Sequence, residues 1–117
     1  MKKIIISLLL FLPLVGYAAD KYDLVEIYKG YEADSGTLAL CGYGNVEEVQ
    51  TVLIPTTQKT GKYEVELTRV ANDIYRVDGT NIYLKLRYCY EYAYSDEAIL
   101  IIESNYSYTK GEVIFLE

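Results

Sequence analysis

Closely spaced carboxylates are the side chains of this sequence that could most readily do chemistry, and they form the pairs Glu47 with Glu48, Glu64 with Glu66, and Asp96 with Glu97. Two carboxyl groups about 5 to 9.5 Å apart are enough for glycoside hydrolysis. One of them must stay protonated while the other is ionised. Each pair here falls in a predicted turn or on a predicted solvent face, where no neighbour would separate the two pKa values. The carboxylates therefore do not predict a glycosidase.

Other catalytic and cofactor-binding chemistries lack the residues that they require. The sequence contains no histidine, which excludes Ser-His-Asp and Cys-His mechanisms and the usual histidine ligands of zinc and haem within it. No glycine-rich phosphate loop joins a predicted strand to a helix. Asp34, Asp73 and Asp78 lack the alternating spacing of a calcium-binding loop. The sequence therefore predicts a protein that is not an enzyme and that binds no metal or cofactor.

The first 19 residues have the three-part organisation of a secretory signal peptide. Two lysines give a positive start, residues 4–15 are mostly apolar, and Gly16 and Ala18 are small residues before a cleavage point after residue 19. The apolar run is shorter than the roughly 20 residues that span a bilayer. We therefore expect cleavage, a bacterial periplasmic or secreted location, and a single mature domain of residues 20–117.

Cys41 and Cys89 are the two cysteines of the chain. In an oxidising compartment, two cysteines most simply form one disulfide, whereas a catalytic thiol pair usually stands close together as Cys-x-x-Cys. A bond between Cys41 and Cys89 would close a loop of about 50 residues, which contributes roughly 4 kcal/mol in the chain-entropy model. The sequence therefore predicts a structural disulfide.

Acidic residues outnumber basic ones in this chain. It has 11 basic and 17 acidic residues and a net charge of −6, which becomes −8 if cleavage removes Lys2 and Lys3. A surface of this sign repels nucleic-acid phosphates and anionic lipids, so neither nucleic acid nor stable membrane insertion is predicted. It attracts a cationic protein partner, although negative charge also serves solubility alone.

Alternation of apolar and polar residues, rather than helical spacing, runs through the mature chain. Tyr63, Val65 and Leu67 alternate with polar side chains, as in a half-buried strand. The turn at residues 78–79 is the strongest hairpin signal, because aspartate and glycine both accept positive φ, and Pro55 favours an edge strand or a strand end. With about eight strands at close spacing, the sequence predicts an all-β fold, a small antiparallel barrel or sandwich with mostly meander connections.

A tyrosine occupies every second position of the stretch RYCYEYAY, and we call this set the tyrosine repeat: Tyr88, Tyr90, Tyr92 and Tyr94. The chain can stay extended over residues 80–94, as one long strand that bends. The tyrosines would then share the face of Leu84 and Leu86, which we expect in the core. Four consecutive buried hydroxyls are hard to satisfy in a small domain. We therefore predict that the tyrosines emerge toward a rim with their hydroxyls in water.

The tyrosine repeat has two interpretations. It can be a structural ladder in which rings pack against cross-strand neighbours. It can also be a protein-binding surface, because tyrosine offers large, rigid contact area at low entropic cost. In the second interpretation, Tyr106 and Tyr108 of the next hairpin would extend the surface. A one-residue bulge near Arg87 would exchange the two faces of every residue after it.

Three functions of different classes fit these features. The leading hypothesis is a non-catalytic exported binding protein that contacts a cationic protein through the tyrosine repeat and inhibits it by steric blocking. The second is a carrier that holds a small apolar ligand inside a barrel. The third is a structural subunit of an envelope assembly that pairs through a terminal strand such as residues 113–116. In composition, the predicted profile of a cleaved signal peptide, an acidic domain of about a hundred residues, one disulfide and a β fold resembles the small periplasmic inhibitors of lysozyme, a resemblance that involves no shared motif and assigns no site residue.

Overall fold

The structure, a computed structural model, describes residues 20–104 and 109–116, which form nine β-strands and a short 3-10 turn at Gly42–Gly44. The strands are β1 (Asp20–Glu32), β2 (Leu38–Leu40), β3 (Val46–Glu48), β4 (Thr51–Thr56), β5 (Gly61–Ala71), β6 (Ile74–Val77), β7 (Ile82–Leu86), β8 (Asp96–Ser104) and β9 (Lys110–Phe115). The predicted signal peptide, residues 1–19, lies outside the described residues, as do Tyr106 and Tyr108. No helix in the described part of the chain is long and apolar enough to cross a membrane.

Six strands close into an antiparallel barrel in the order β1-β7-β6-β5-β8-β9, with β9 returning to β1. Asp20 lies opposite Phe115 and Leu24 opposite Gly111 where the barrel closes. Strands β5, β6 and β7 form a meander, and β8 and β9 form a hairpin. The prediction of a small all-β antiparallel fold is therefore confirmed, and of the two predicted alternatives, barrel and sandwich, the structure is a barrel. Because β9 has a partner on each side, it offers no free edge for the terminal-strand pairing that an envelope subunit would use.

Strand β1 is the longest strand and pairs with three neighbours. Its first residues pair with β9, residues 24–29 pair with β7, and residues 27–32 pair with β4. The register with β7 shifts between Leu24 and Glu26, so that Val25 is the extra residue of a β-bulge. A bulge bends the strand that contains it. The sequence predicts a long bent strand over residues 80–94, and the structure instead places it at the start of the domain.

The barrel interior is filled by apolar side chains from all six barrel strands, together with two from the segment between β7 and β8. The alternation predicted in β5 is confirmed, because Leu67 is fully buried while Tyr63 and Val65 pack against the same core. The buried cluster consists of Leu24, Ile27, Leu67, Tyr75, Val77, Leu84, Leu86, Cys89, Ala93, Ala98, Leu100, Ile102, Val113 and Phe115.

Gly111 of β9 lies very close to the backbone of β8. A Cβ atom at this position would clash with the carbonyl oxygen of Ile101 and lie 3.1 Å from Cα of Ile102. Both are backbone atoms of a paired strand, so neither can move away without disturbing the β8–β9 pairing. Glycine is the residue that fits such a close approach of two backbones. Because Gly111 also faces Leu24 of β1, it lies where the barrel closes.

Beyond the barrel, β1 and β4 continue as a two-stranded hairpin. In the described chain β4 pairs with β1 alone, so the edge position predicted from Pro55 is confirmed. Strands β2 and β3 form a separate two-stranded sheet at the far end of this hairpin. Backbone hydrogen bonds from Ala33 to Gln50 and from Val49 to Thr37 connect the two sections. We call residues 37–49 the distal hairpin.

The disulfide predicted between Cys41 and Cys89 is wrong, because both cysteines are free in the structure. Cys41 is exposed in the distal hairpin, whereas Cys89 is only 1% exposed within the barrel core. The Cys89 thiol donates a hydrogen bond to Oη of Tyr75 at 3.1 Å, and burial raises the pKa of this thiol. Cys41 lies in the distal hairpin beyond the barrel, whereas the chain around Cys89 turns into the barrel core. The count of two cysteines in the sequence does not reveal this separation.

The two cysteines should differ strongly in reactivity. We expect dithionitrobenzoate to modify Cys41 rapidly and Cys89 only on unfolding, because burial lowers both the access to a thiol and its thiolate fraction. The measurement is the number of reactive thiols per chain before and after denaturant is added, with Cys41→Ser as the control that retains only the slow site. An unreduced, unfolded chain without reactive thiols would indicate a Cys41–Cys89 bond and contradict the structure.

Candidate protein-binding site

Residues 87–95, which we call the tyrosine loop, connect β7 to β8 without forming a strand. The predicted strand over residues 80–94 is therefore wrong beyond Leu86, where β7 ends. Tyr88 adopts a φ of 50° and Ser95 a φ of 55°, both in the left-handed region that regular strands exclude. The chain thus leaves the barrel wall at Tyr88 and rejoins it after Ser95.

The left-handed backbone at Tyr88 exchanges the two faces of the chain. In a continuous strand, Cys89 and Ala93 would lie on the face opposite to Leu84 and Leu86. All four of these side chains are nevertheless buried. The tyrosines are exposed because of this exchange, and not because they emerge gradually from the core along one strand face. A bulge near Arg87 would have had the same consequence.

All four side chains of the tyrosine repeat are turned to solvent. Their exposed fractions are 72% for Tyr88, 74% for Tyr90, 84% for Tyr92 and 83% for Tyr94. A structural ladder would bury ring faces against cross-strand neighbours, and exposed fractions this large leave most of each ring uncovered. The structure therefore exposes all four predicted residues of the tyrosine repeat, whereas Tyr106 and Tyr108 lie outside the described residues.

The residues between the tyrosines attach the loop to the barrel. At every second position, a backbone group of the loop forms a hydrogen bond with a barrel strand or turn. The bonds are Arg87 N with Asp23 O (3.0 Å), Cys89 N with Asp73 Oδ1 (2.8 Å), Glu91 O with Tyr75 Oη (2.5 Å), Ala93 O with Arg69 N (3.0 Å) and Ser95 N with Thr68 Oγ1 (2.9 Å). Anchors and exposed tyrosines therefore alternate along the whole loop.

Glu91 is anchored through both its backbone and its side chain. Its carboxylate accepts a hydrogen bond from Oη of Tyr22 at 2.8 Å, and its carbonyl oxygen accepts the bond from Tyr75. The rings of Tyr22 and Tyr75 pack edge-on against Phe115, at centroid distances of 5.9 and 5.7 Å. Burial raises the pKa of both tyrosines, assisted by hydrogen bonding with Glu91 at Tyr22 and with Cys89 at Tyr75. Both hydroxyls therefore remain donors at neutral pH, and an aromatic cluster supports the middle of the loop.

Arg69 of β5 supports the outer side of the loop. Its guanidinium carbon lies 4.7 Å from the centroid of the Tyr92 ring, within the range of a cation–π interaction. Its Nη2 atom donates a hydrogen bond to Oδ1 of Asn72 at 2.8 Å. Because these two contacts orient the guanidinium group, Tyr92 rests on a defined support although most of its surface is exposed.

Asp78 holds the end of the loop against the barrel. Its Oδ2 atom accepts hydrogen bonds from Ser95 Oγ at 2.7 Å and from Thr68 Oγ1 at 3.0 Å, and Arg76 Nη2 lies 3.4 Å from Oδ1. Burial acts to raise the pKa of Asp78, but the hydrogen bonds from Ser95 and Thr68 and the charge of Arg76 outweigh it and hold the pKa below its usual value. The ionised carboxylate is therefore the form that holds the loop.

Asp78→Asn should lower the free energy of unfolding by about 1 kcal/mol at neutral pH, because an amide replaces a carboxylate that accepts several hydrogen bonds. A lowered pKa in the folded state contributes stability above the unfolded-state pKa of about 4, and this contribution is lost as the pH falls below it. The difference between wild type and Asp78→Asn should therefore shrink between about pH 7 and about pH 3. Urea unfolding at the two pH values measures this difference, and equal differences at both would contradict the assigned role of the carboxylate.

The residues that hold the loop were not found by sequence reasoning. Arg69 lies on β5, Tyr75 lies on β6, and Asp78 lies in the turn after β6. Nothing near these residues in the sequence points to the tyrosine repeat. Glu91 is the one residue whose type could have indicated an anchor for the loop. A carboxylate among tyrosines can turn toward the barrel only if it accepts a hydrogen bond there. The sequence does not indicate that Tyr22 is that donor.

The surface of the tyrosine loop is made mainly of aromatic side chains. Its exposed side chains include the four phenol rings and Arg87, and the Glu91, Asp73 and Asp78 side chains already accept hydrogen bonds that anchor the loop. No group of three or more histidine, cysteine, aspartate or glutamate side chains in residues 20–104 and 109–116 is placed to hold a metal ion. Comparison with protein-family models, with curated proteins and with solved structures finds no match.

Proposed function

We propose that this protein is a non-catalytic, exported bacterial binding protein that contacts another protein through the tyrosine repeat and blocks that partner sterically. The observation that carries the proposal is the alternation of anchors and tyrosines in the tyrosine loop. Four large rings are exposed, while the backbone beside each of them is hydrogen-bonded to the barrel. Exposed aromatic rings on a held backbone are typical of a protein-binding surface.

An anchored loop favours binding because little conformational freedom remains to be lost when a partner docks. Ordering a flexible side chain at an interface costs about 0.5–1.5 kcal/mol, and disordered loops add to this cost. Tyrosine has few rotatable bonds for its contact area, and the Tyr92 ring already rests on Arg69. The left-handed backbone at Tyr88 costs of order 1 kcal/mol, and strain of this kind clusters at functional sites.

Charge favours a cationic partner, such as a secreted enzyme or toxin. The chain has a net charge of −6, which accelerates the approach of a positively charged protein and weakens as salt is added. The signal-peptide pattern of residues 1–19 supports an exported location, where such a partner would be met. An apolar-ligand carrier gains no support from the barrel interior, where the described inward side chains pack against one another.

The test is capture of partners from the native exported protein fraction and from a panel of purified cationic hydrolases. Wild-type protein and Tyr90→Ser/Tyr92→Ser are immobilised side by side, and each captured protein is purified and titrated by calorimetry. We expect the double variant to bind at least about tenfold more weakly, because central tyrosines of an interface often contribute 2 kcal/mol or more. Tyr90→Phe/Tyr92→Phe keeps the rings and should retain most of the affinity.

Tyr31→Ser is the matched control for loss of an exposed tyrosine. Tyr31 is 50% exposed and lies on the part of β1 that pairs with β4, away from the tyrosine loop. This variant should bind as the wild type does. Equal recovery of every partner by the wild type and all three variants would remove the tyrosine loop from consideration as the contact surface.

A further inference from the structure

The distal hairpin carries a second group of exposed apolar side chains. Leu38 is 63% exposed, Leu40 81% and Val46 52%. Leu38 pairs with Glu48 and Leu40 with Val46 across the two strands, so these aliphatic side chains share one face of the small sheet. Exposed apolar groups that adjoin one another on a protein surface mark interaction sites more often than isolated ones do.

The distal hairpin also has an unpaired strand edge. In the described part of the chain, β2 and β3 pair only with each other. Backbone hydrogen bonds from Val49 to Thr37 and from Cys41 to Asn45 flank this sheet. Because hydrogen-bonded and non-hydrogen-bonded pairs alternate in an antiparallel ladder, the pairs Leu38–Glu48 and Leu40–Val46 are non-hydrogen-bonded pairs. The backbone groups of Val46 and Glu48 therefore point away from β2. An edge of this kind accepts a strand from another chain.

Charge discriminates between the possible occupants of this edge. Residues 30–58 contain no lysine or arginine, and their four acidic residues are Glu32, Asp34, Glu47 and Glu48. A second copy of the hairpin would bring two sets of glutamates together, and like charges on adjacent strands destabilise the pairing. An anionic lipid surface is repelled for the same reason. A basic segment, in contrast, is attracted.

We propose that the outer edge of β3 binds an extended segment of another protein in which basic and apolar residues alternate. The backbone of this segment pairs with Val46 and Glu48, which makes it a third strand of the small sheet. Its apolar residues cover the face that carries Leu40 and Val46, and its basic residues meet the Glu47 carboxylate on the opposite face. Pairing supplies affinity, and the Glu47 carboxylate supplies selectivity.

This surface is separate from the tyrosine loop. Gly30, on the part of β1 that leads to the distal hairpin, donates its N–H to the carbonyl oxygen of Asn81, just before β7 begins. The tyrosine loop begins after Leu86, at the opposite end of β7. Binding at the distal hairpin is therefore independent of the function proposed for the tyrosine repeat, and variants of one surface should leave the other unchanged.

The test uses a peptide of about twelve residues in which lysine and valine alternate, added to the isotope-labelled protein and followed by NMR chemical shifts. We expect shift changes concentrated in residues 38–48, a dissociation constant that rises with salt, and no binding of the corresponding glutamate and valine peptide. Glu47→Lys/Glu48→Lys should raise the dissociation constant at least about tenfold. Asp20→Lys/Glu64→Lys makes the same change in net charge at exposed barrel positions, and should change the constant less than about threefold.

Equal weakening by the two charge variants would overturn the proposal, because the peptide would then respond to net charge alone. Shift changes centred on the tyrosine loop would overturn it as well. Sedimentation and anionic vesicles of phosphatidylglycerol test the other occupants, with Leu38→Ser/Leu40→Ser as the comparison. A dimer, or vesicle binding, that is lost in this variant would assign the exposed face to a second copy or to lipid and overturn the proposal.

Discussion

Replacing Gly111 with alanine is expected to destabilise the barrel by about 3 kcal/mol or more. The added methyl group would clash with the Ile101 carbonyl and press on Cα of Ile102, and both belong to the strand that β9 must pair with. Because β9 also closes the barrel onto β1, displacement at Gly111 weakens two strand pairings at once. Thermal and urea unfolding measure the effect, and the melting temperature should fall by roughly 10–20 °C.

Gly42→Ala is the matched control for the loss of a glycine. Gly42 lies in the distal hairpin, and a Cβ atom there would meet nothing within 4 Å. We expect its effect on stability to stay within about 0.5 kcal/mol, as for other surface substitutions. If Gly111→Ala unfolds at the same temperature as Gly42→Ala, the close approach of β8 and β9 described for this barrel is contradicted.

Replacing Tyr75 should have the second large effect, and it should act on the tyrosine loop as well as on the core. Tyr75 is fully buried, its ring packs on Phe115, and its hydroxyl donates to Glu91 O. Tyr75→Ala should cost about 3–5 kcal/mol through loss of the ring. Tyr75→Phe keeps the ring but leaves a carbonyl without its donor, and should cost about 1–3 kcal/mol. Urea unfolding measures both.

The effect of Tyr75→Phe also has a pH dependence that identifies its cause. Burial raises the folded-state pKa of Tyr75, so its contribution is fully present below the unfolded-state pKa of about 10 and is lost as the pH rises above it. The stability difference between wild type and Tyr75→Phe should therefore narrow above about pH 10. Leu84→Ala changes a fully buried residue that does not titrate. The stability difference between wild type and Leu84→Ala should therefore not narrow above about pH 10. A constant difference for Tyr75→Phe across this range would contradict the buried hydroxyl.

Most strands of the barrel could be predicted from local patterns. The alternation around Leu67, the turn at residues 78–79 and the edge position of Pro55 depend on neighbours in the sequence, and all three are confirmed. The closing contact of β9 with β1 joins residues from opposite ends of the domain. No local pattern specifies such a contact, so barrel and sandwich remained alternatives until the strand pairing was known.

The path of the tyrosine loop could not be predicted, because one backbone angle decides it. Alternating tyrosines have high strand propensity, and nothing in the residue type of Tyr88 indicates a left-handed conformation. That conformation is stabilised by distant residues, including Asp73 and Tyr75, which accept from and donate to the loop backbone. The exposure of the tyrosines was predicted for the wrong reason, since the faces exchange at Tyr88 instead of remaining constant. The same turn buries Cys89 and removes the predicted disulfide.

Backbone order parameters of residues 87–95, from ¹⁵N relaxation of the free protein, show whether the tyrosine loop is held in place before a partner binds. A loop anchored at every second residue should have order parameters of about 0.85, equal to those of the barrel strands. The order parameters of the distal hairpin, measured in the same spectra, can be compared with those of the tyrosine loop. Order parameters below about 0.6 at Tyr90 and Tyr92 would mean that the rings are not held in place before binding. That result would contradict the proposal that the tyrosine loop is a preformed protein-binding surface.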